Sequence, residues 1–300
     1  MKRPAHYLRV LISHPKKTKF LVAYLLAKTH LSPLFLIRRE RYVMRFYPTA
    51  LSRHCWVYAD ERRAHERLFR AYLRPGDVMV DVGANIGTNT LEAASLVGPG
   101  GRVYAVEAHP RTHRFLAANI RLNQFGNVVT FNTAVGCESG SITFTDSHYD
   151  DMNRVDERGR LPEFRPLAIA SGFPLEKKLG IEVPMRRLDD LLSGEARPIR
   201  LLKIDVEGYE KFVLTGASDT LAKTEAIFIE MEPENFRVFG YGNEDVAEIL
   251  SSRGFTLYDI DDAGRLVKMT SKALPHKKAD LLALRDASHF PEGWVGASRS

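Results

Sequence analysis

Three hundred residues, 44% of them hydrophobic, suffice for one large α/β domain with extensions or for two small domains. Two isolated cysteines, Cys55 and Cys137, exclude a disulfide framework and a Cys-based metal site; they fit a reducing cytosol and read as small buried hydrophobes. The net charge of +6 is segregated, with eleven Lys/Arg against the single acid Glu40 in residues 1–45, a local +10 that leaves −4 for the rest.

In chain order, the basic segment also carries Phe20-Leu-Val-Ala-Tyr-Leu-Leu-Ala27 and Leu34-Phe-Leu-Ile37. A membrane-spanning helix needs about 20 mostly apolar residues, and Lys28, His30 and Pro33 interrupt this run. No small-residue cleavage site follows it, so it does not read as a signal peptide. Two readings stay open: a helical extension packed on the domain, or a basic amphipathic surface that meets an anionic membrane or an anionic substrate. Arg41–Tyr47 alternates as a strand stopped by Pro48, and Glu61–Tyr72 patterns as a surface helix.

From Arg74-Pro-Gly-Asp77 onward, strands and helices alternate. Strands are expected at 78–82, 102–107, 128–132, 200–205, 225–230 and 256–260, with helices at 88–96, 110–123, 209–221 and 243–253. Further strands at 141–145 and 181–185 flank a long polar stretch, 146–180, whose length suggests a lid and which contains His148, Asp150, Asp151 and Asn153. A short helix is expected at 189–193. His109 and His113 read as helix-surface residues. The alternation predicts a doubly wound, mainly parallel α/β sheet of the Rossmann-like kind. We divide the chain into a basic N-terminal extension (1–73), a cofactor-binding domain (74–270) and a peripheral C-terminal tail (271–300).

Asp81, Glu107 and Asp205 stand at the carboxyl ends of successive expected strands, where an open parallel sheet places its ligand crevice. The first turn, Asp81-Val-Gly83-Ala-Asn85-Ile-Gly87, brackets itself with glycines but lacks the Gly-x-Gly-x-x-Gly spacing that admits a pyrophosphate. A turn with Asn85 at its centre suits the amine and carboxylate of S-adenosylmethionine better. Glu107, 20 residues after Gly87, is placed to accept both hydroxyls of an adenosine ribose.

Val80-Asp-Val-Gly-Ala-Asn-Ile-Gly87, Val106-Glu-Ala-His-Pro110, Asn132-Thr-Ala-Val-Gly136 and Leu202-Lys-Ile-Asp-Val-Glu-Gly-Tyr-Glu210 together resemble the signature of the FkbM methyltransferases, over roughly residues 74–260. The resemblance implies S-adenosylmethionine as cofactor and a seven-strand sheet. It also implies methyl transfer to a hydroxyl oxygen on a sugar, glycan, polyketide-like or lipid-linked acceptor. The expected cofactor residues are Asp81, Gly83, Asn85, Gly87, Asn89, Glu107, Ala108, Ala134 and Asp205. Asp205, Glu207 and Glu230 are the candidates for placing and deprotonating the acceptor. Their oxygens would also suit a divalent cation, but no metal is assigned. Two other enzyme classes share parts of the pattern. A nucleotide-binding enzyme of Rossmann type would use the same sheet, and a nucleic-acid methyltransferase would use the basic N-terminus. Against the latter, no Asn-Pro-Pro-Tyr or Asp-Pro-Pro-Tyr follows the 200–205 strand, so nucleic acid is not expected as a partner. The expected location is cytoplasmic, with possible contact to an anionic membrane surface through residues 1–45.

Overall fold

The computed structural model describes residues 16–28, 31–58, 63–146, 153–156, 179–261, 264–269 and 274–295. Residues 148–151 of the proposed lid, and residues 1–15 of the basic segment, lie outside them.

Helix α1 (Lys17–Lys28) leads through a short 3-10 turn at Ser32–Leu34 into a hairpin of β1 (Leu36–Arg38) and β2 (Val43–Arg45). Helices α2 (Ala50–Val57) and α3 (Arg63–Tyr72) follow. Thr49 caps α2, accepting from the Ser52 amide at 3.1 Å. The expected helix before Tyr72 is present, and Leu68, Phe69 and Tyr72 bury against the sheet.

The domain then runs β3 (Val78–Val82), α4 (Thr88–Val97), β4 (Arg102–Val106), α5 (Pro110–Leu122), β5 (Val128–Phe131) and β6 (Ala134–Val135). It continues with β7 (Gly140–Asp146), β8 (Leu179–Arg186), α6 (Leu188–Leu191), β9 (Ile199–Ile204), α7 (Glu210–Thr215) and α8 (Ser218–Ala222). Last come β10 (Thr224–Met231), α9 (Pro233–Val238), α10 (Asn243–Ser252), β11 (Thr256–Ile260), β12 (Leu266–Lys268) and β13 (Ala279–Leu284).

Eight strands form the main sheet, in the order β12-β11-β13-β10-β9-β3-β4-β5. The five from β10 to β5 are mutually parallel; β13 runs antiparallel to both its neighbours, and β12 is an antiparallel edge. The sheet is therefore mixed and eight-stranded rather than seven-stranded. The tail expected at 271–300 is not peripheral where it is described: Ala279-Asp-Leu-Leu-Ala-Leu284 threads between β10 and β11, and Leu281 to Leu284 are buried. A short apolar run without a helical period is what a strand buried on both faces looks like, and the polar residues around it masked the signal.

Successive β3 side chains divide between the two faces. Val78, Val80 and Val82 join one apolar cluster and Met79 the other, so each face carries its own core. The chain moves outward from β3 to β4 and β5 on one side, then returns to lay β9 and β10 on the other. The crevice lies where these directions diverge, at the carboxyl ends of β3 and β9. A second, three-stranded sheet, β6-β8-β7, adds Ala134, Val135 and Phe144 to its wall.

Candidate active site

A cavity of about 510 Å³ opens at this switch point. Its floor is the turn after β3. Gly83 (φ +79°), Asn85 (φ +51°) and Gly87 (φ +98°) all adopt left-handed backbone. A Cβ on Gly83 would stand 1.8 Å from the Asp205 carbonyl oxygen, so only glycine lets the turn meet the end of β9. The buried Glu107 carboxylate ties the turn to the second strand: Oε2 accepts from the Asn85 amide at 2.9 Å and Oε1 from the His109 amide at 2.8 Å. Burial pushes its carboxyl up to about 7, against the opposing pull of those two amides. Asn132 closes the same corner, its Nδ2 donating to the Glu107 carbonyl at 2.9 Å.

Of the expected cofactor residues, Gly83, Asn85, Asn89, Glu107, Ala108, Ala134 and Asp205 line the cavity. Asp81 and Gly87 do not. Strand alternation turns Asp81 under α4, where it is fully buried and Thr90 donates to it at 2.6 Å. Gly87 is the N-cap of α4 and packs toward Leu116.

Asp81 instead stabilises Lys203, its register partner on β9. The Lys203 ammonium is 2% exposed and lies 3.2 Å from Asp81 Oδ1 and 3.4 Å from Asp205 Oδ2, and it donates to the Gly83 carbonyl at 2.8 Å. Burial works against that charge, yet Asp205 and Asp81 together hold the ammonium above the ordinary lysine range. Lys203 thus fixes the turn and aims Asp205. It was missed in the sequence, although a lysine inside Leu201-Leu-Lys-Ile204 needs a buried partner and so announces one.

The three acceptor-side acids converge: carboxylate oxygens of Asp205, Glu207 and Glu230 lie within 4.8 Å of one another. Glu207 arrives differently from expectation. Strand β9 ends at Ile204, and Glu207 (φ +56°) and Gly208 (φ +106°) form a left-handed turn that brings the side chain round. That turn is held by the Tyr241 hydroxyl donating to the Gly208 carbonyl at 2.7 Å and by buried Glu210, which accepts from the Val206 amide at 3.0 Å. Asn235 Nδ2 donates to Glu207 at 3.0 Å, and buried Arg154 donates to Asn235 in turn. Glu230, on β10, receives the Lys278 ammonium at 2.6 Å, with Glu232 3.3 Å and Glu207 3.8 Å from the same nitrogen.

Burial raises Glu207 to about 8, with Lys278 opposing and Asp205 adding to the rise. Burial and the charges of Asp205 and Glu207 also push Glu230 well up, against the pull of Lys278. More negative charge gathers there than one ammonium neutralises, so the cluster retains a proton more readily than separate glutamates would. The oxygen set could also hold a divalent cation, and Lys278 already supplies positive charge to it. Lys278 was missed because the segment leading into β13 read as peripheral.

The extension supplies wall as well: Leu51 and His54 from α2 and His65 from α3 line the cavity. His109 is no surface residue. It is buried, caps α5 by accepting from the Arg111 amide at 3.2 Å, and meets Asp146 at 3.0 Å. Cys55 is buried and Cys137 half-buried.

The chain matches the methyltransferase FkbM domain over residues 81–257. It is 30% identical over 173 residues to the 2-O-methyltransferase NoeI of Sinorhizobium fredii, covering 56% of this chain and 68% of that one. To the 31-O-demethyl-FK506 methyltransferase FkbM of Streptomyces tacrolimicus it is 35% identical over 164 residues, 49% of this chain and 62% of that protein, less than two thirds of its length. To the hexuronic acid methyltransferase AglP of Haloferax volcanii it is 26% identical over 199 residues, 65% of this chain and 71% of that one. The glycine-bracketed turn, the Glu107 corner and the Asp205–Glu210 turn all lie inside the matched segment, and the chain belongs to the FkbM family of S-adenosylmethionine-dependent methyltransferases.

Proposed function

We propose that this enzyme methylates a hydroxyl oxygen on a sugar-type or similarly polyhydroxylated small molecule. The observation that carries the reading is the convergence of Asp205, Glu207 and Glu230 on the cavity that the Gly83–Asn85 turn and Glu107 also line. The relatives point the same way: one is a 2-O-methyltransferase, another a 31-O-demethyl-FK506 methyltransferase and a third a hexuronic acid methyltransferase.

The cavity residues fit S-adenosylmethionine. Glu107 offers carboxylate oxygens at the end of β4 for two ribose hydroxyls. Ala108 and Ala134 leave room for a flat ring beside it, and Gly83, Asn85, Asn89 and Asp205 offer polar partners for an amine and a carboxylate. When bound, the cofactor supplies an electrophilic methyl group. The remaining work is placement, which can itself lower a barrier by several kcal/mol, on the order of 7–11 in favourable systems.

In this reading Asp205, held by Lys203, orients the acceptor. The Glu207–Glu230 pair takes the hydroxyl proton, a contribution typically worth about two to four powers of ten in rate. Lys278 keeps one member of that pair ionised and ready to accept. The test is transfer of labelled methyl from S-adenosylmethionine to panels of glycosides, uronic acids, macrolide-type polyols and oligonucleotides. The reading expects alkali-stable label on a glycoside, uronic acid or polyol that falls at least about a hundredfold in Glu230→Gln. Label confined to oligonucleotides would replace it.

A further inference from the structure

We infer that residues 16–26 and 31–36 form a docking surface for an anionic lipid bilayer. Helix α1 is apolar on two sides. Ala23 and Leu26 bury inward, while Leu21, Val22 and Leu25 point out, with Leu25 50% exposed. A helix apolar all round is ordinarily buried all round. Seven of the nine exposed large hydrophobic side chains among the described residues fall between 21 and 36, including Leu34, 74% exposed, and Phe35, 46% exposed. The 3-10 turn that carries Leu34 packs on α1, so the two groups are neighbours. Scattered exposed leucines mean little, but a concentration of this kind marks an interaction surface.

Charge selects the occupant. Between residues 16 and 45 eight Lys/Arg stand against one acid, Glu40, and Lys17, Lys19 and Arg38 are exposed around the apolar group. Apolar side chains rimmed by cations suit the boundary between headgroups and acyl chains of an anionic membrane. No helix among the described residues is long and apolar enough to cross a membrane, and α1, with 12 residues, is long enough only to lie along its surface. The surface also has an outlet to the site. Lys16 and Lys19 of the α1 segment lie over the Tyr58 and Trp56 rings at the end of α2, and the same helix presents Leu51 and His54 to the cavity. An acceptor carried on a lipid would therefore approach the cavity from the docked side.

Vesicle sedimentation tests the surface and needs no acceptor, so it succeeds or fails independently of the acceptor class. The full chain should pellet with vesicles containing a quarter phosphatidylglycerol in phosphatidylcholine, should not pellet with phosphatidylcholine alone, and should be released by high salt. Leu25→Glu with Leu34→Glu and Phe35→Glu should lower the bound fraction constant by at least about tenfold, with unchanged melting and unchanged S-adenosylmethionine affinity. Should that triple variant misfold, Lys17→Glu with Lys19→Glu must weaken anionic binding by at least about threefold. Equal binding to neutral and anionic vesicles, or no binding, would overturn the inference. So would a dimer in sedimentation velocity that the triple variant dissolves, since the face would then belong to a second copy of the chain.

Discussion

Replacing Lys203 by Met removes the cation that sits between Asp81 and Asp205 at 3.2 and 3.4 Å while keeping most of the side-chain volume. Asp81 is fully buried, so its charge would be left in a low-dielectric interior beside the Thr90 hydroxyl. Breaking a buried pair from one side typically costs about 3–5 kcal/mol. The Asp205 side chain is 38% exposed and water would screen it, so most of the loss comes from Asp81 and the lower end, about 3 kcal/mol, is expected. For a chain of this size that is a fall of roughly 6–12 °C in melting temperature. The assay is calorimetric melting of wild type, Lys203→Met and Lys203→Met with Asp81→Asn. The double variant should recover more than half of the loss, because a neutral amide can keep the Thr90 hydroxyl without burying a charge. A single variant melting within about 2 °C of wild type, or a double variant no better than the single, would refute the reasoning.

Other outcomes follow from the acids. Turnover should rise as pH passes through about 8, where Glu207 loses its proton, and Glu207→Gln should flatten that rise; a profile identical in the variant would remove Glu207 from the proton path. Burial raises Glu210 to about 7 from an ordinary 4.5, so its stabilising contribution is complete below the ordinary value and is lost as pH climbs through about 7. Melting of the cofactor-free protein should accordingly drop between pH 5 and 8, and Glu210→Gln should lessen the drop. Exhaustive chelation should leave turnover within about twofold, because Lys278 already provides positive charge at the acid cluster; a loss restored by magnesium would instead assign a cation to Asp205, Glu207 and Glu230.

The strands that bear the site were legible because parallel, doubly covered strands are short apolar runs: Val78–Val82 and Ile199–Ile204 need no tertiary information to be recognised. Glu107 at the end of β4 followed from the same pattern, and it lines the cavity. What failed to show was set by side-chain direction and by long-range pairing. Asp81 looked like a ligand because it ends an apolar run, but the pleat sends it beneath α4 to Thr90 and Lys203. Lys203 and Lys278 take their meaning from neighbours far away in sequence, and β13 inserts between strands that precede it by some 20 to 50 residues. Glu207 was placed on the right side through the wrong geometry: a left-handed turn, not continued strand, brings it to Glu230. Sequence gives local period well; it does not say which distant charge will share a buried corner.

In the proposed function one cavity has a cofactor side at Glu107 and an acceptor side at Glu230, and calorimetric titration of S-adenosylmethionine into variants of the two residues tests that division. Glu107→Ala removes a charged acceptor whose hydrogen bonds are worth about 1.5–3 kcal/mol, so affinity should fall at least about tenfold. Glu230→Gln should bind the cofactor within about twofold of wild type. Unchanged affinity in Glu107→Ala, or a larger loss in Glu230→Gln than in Glu107→Ala, would contradict the division.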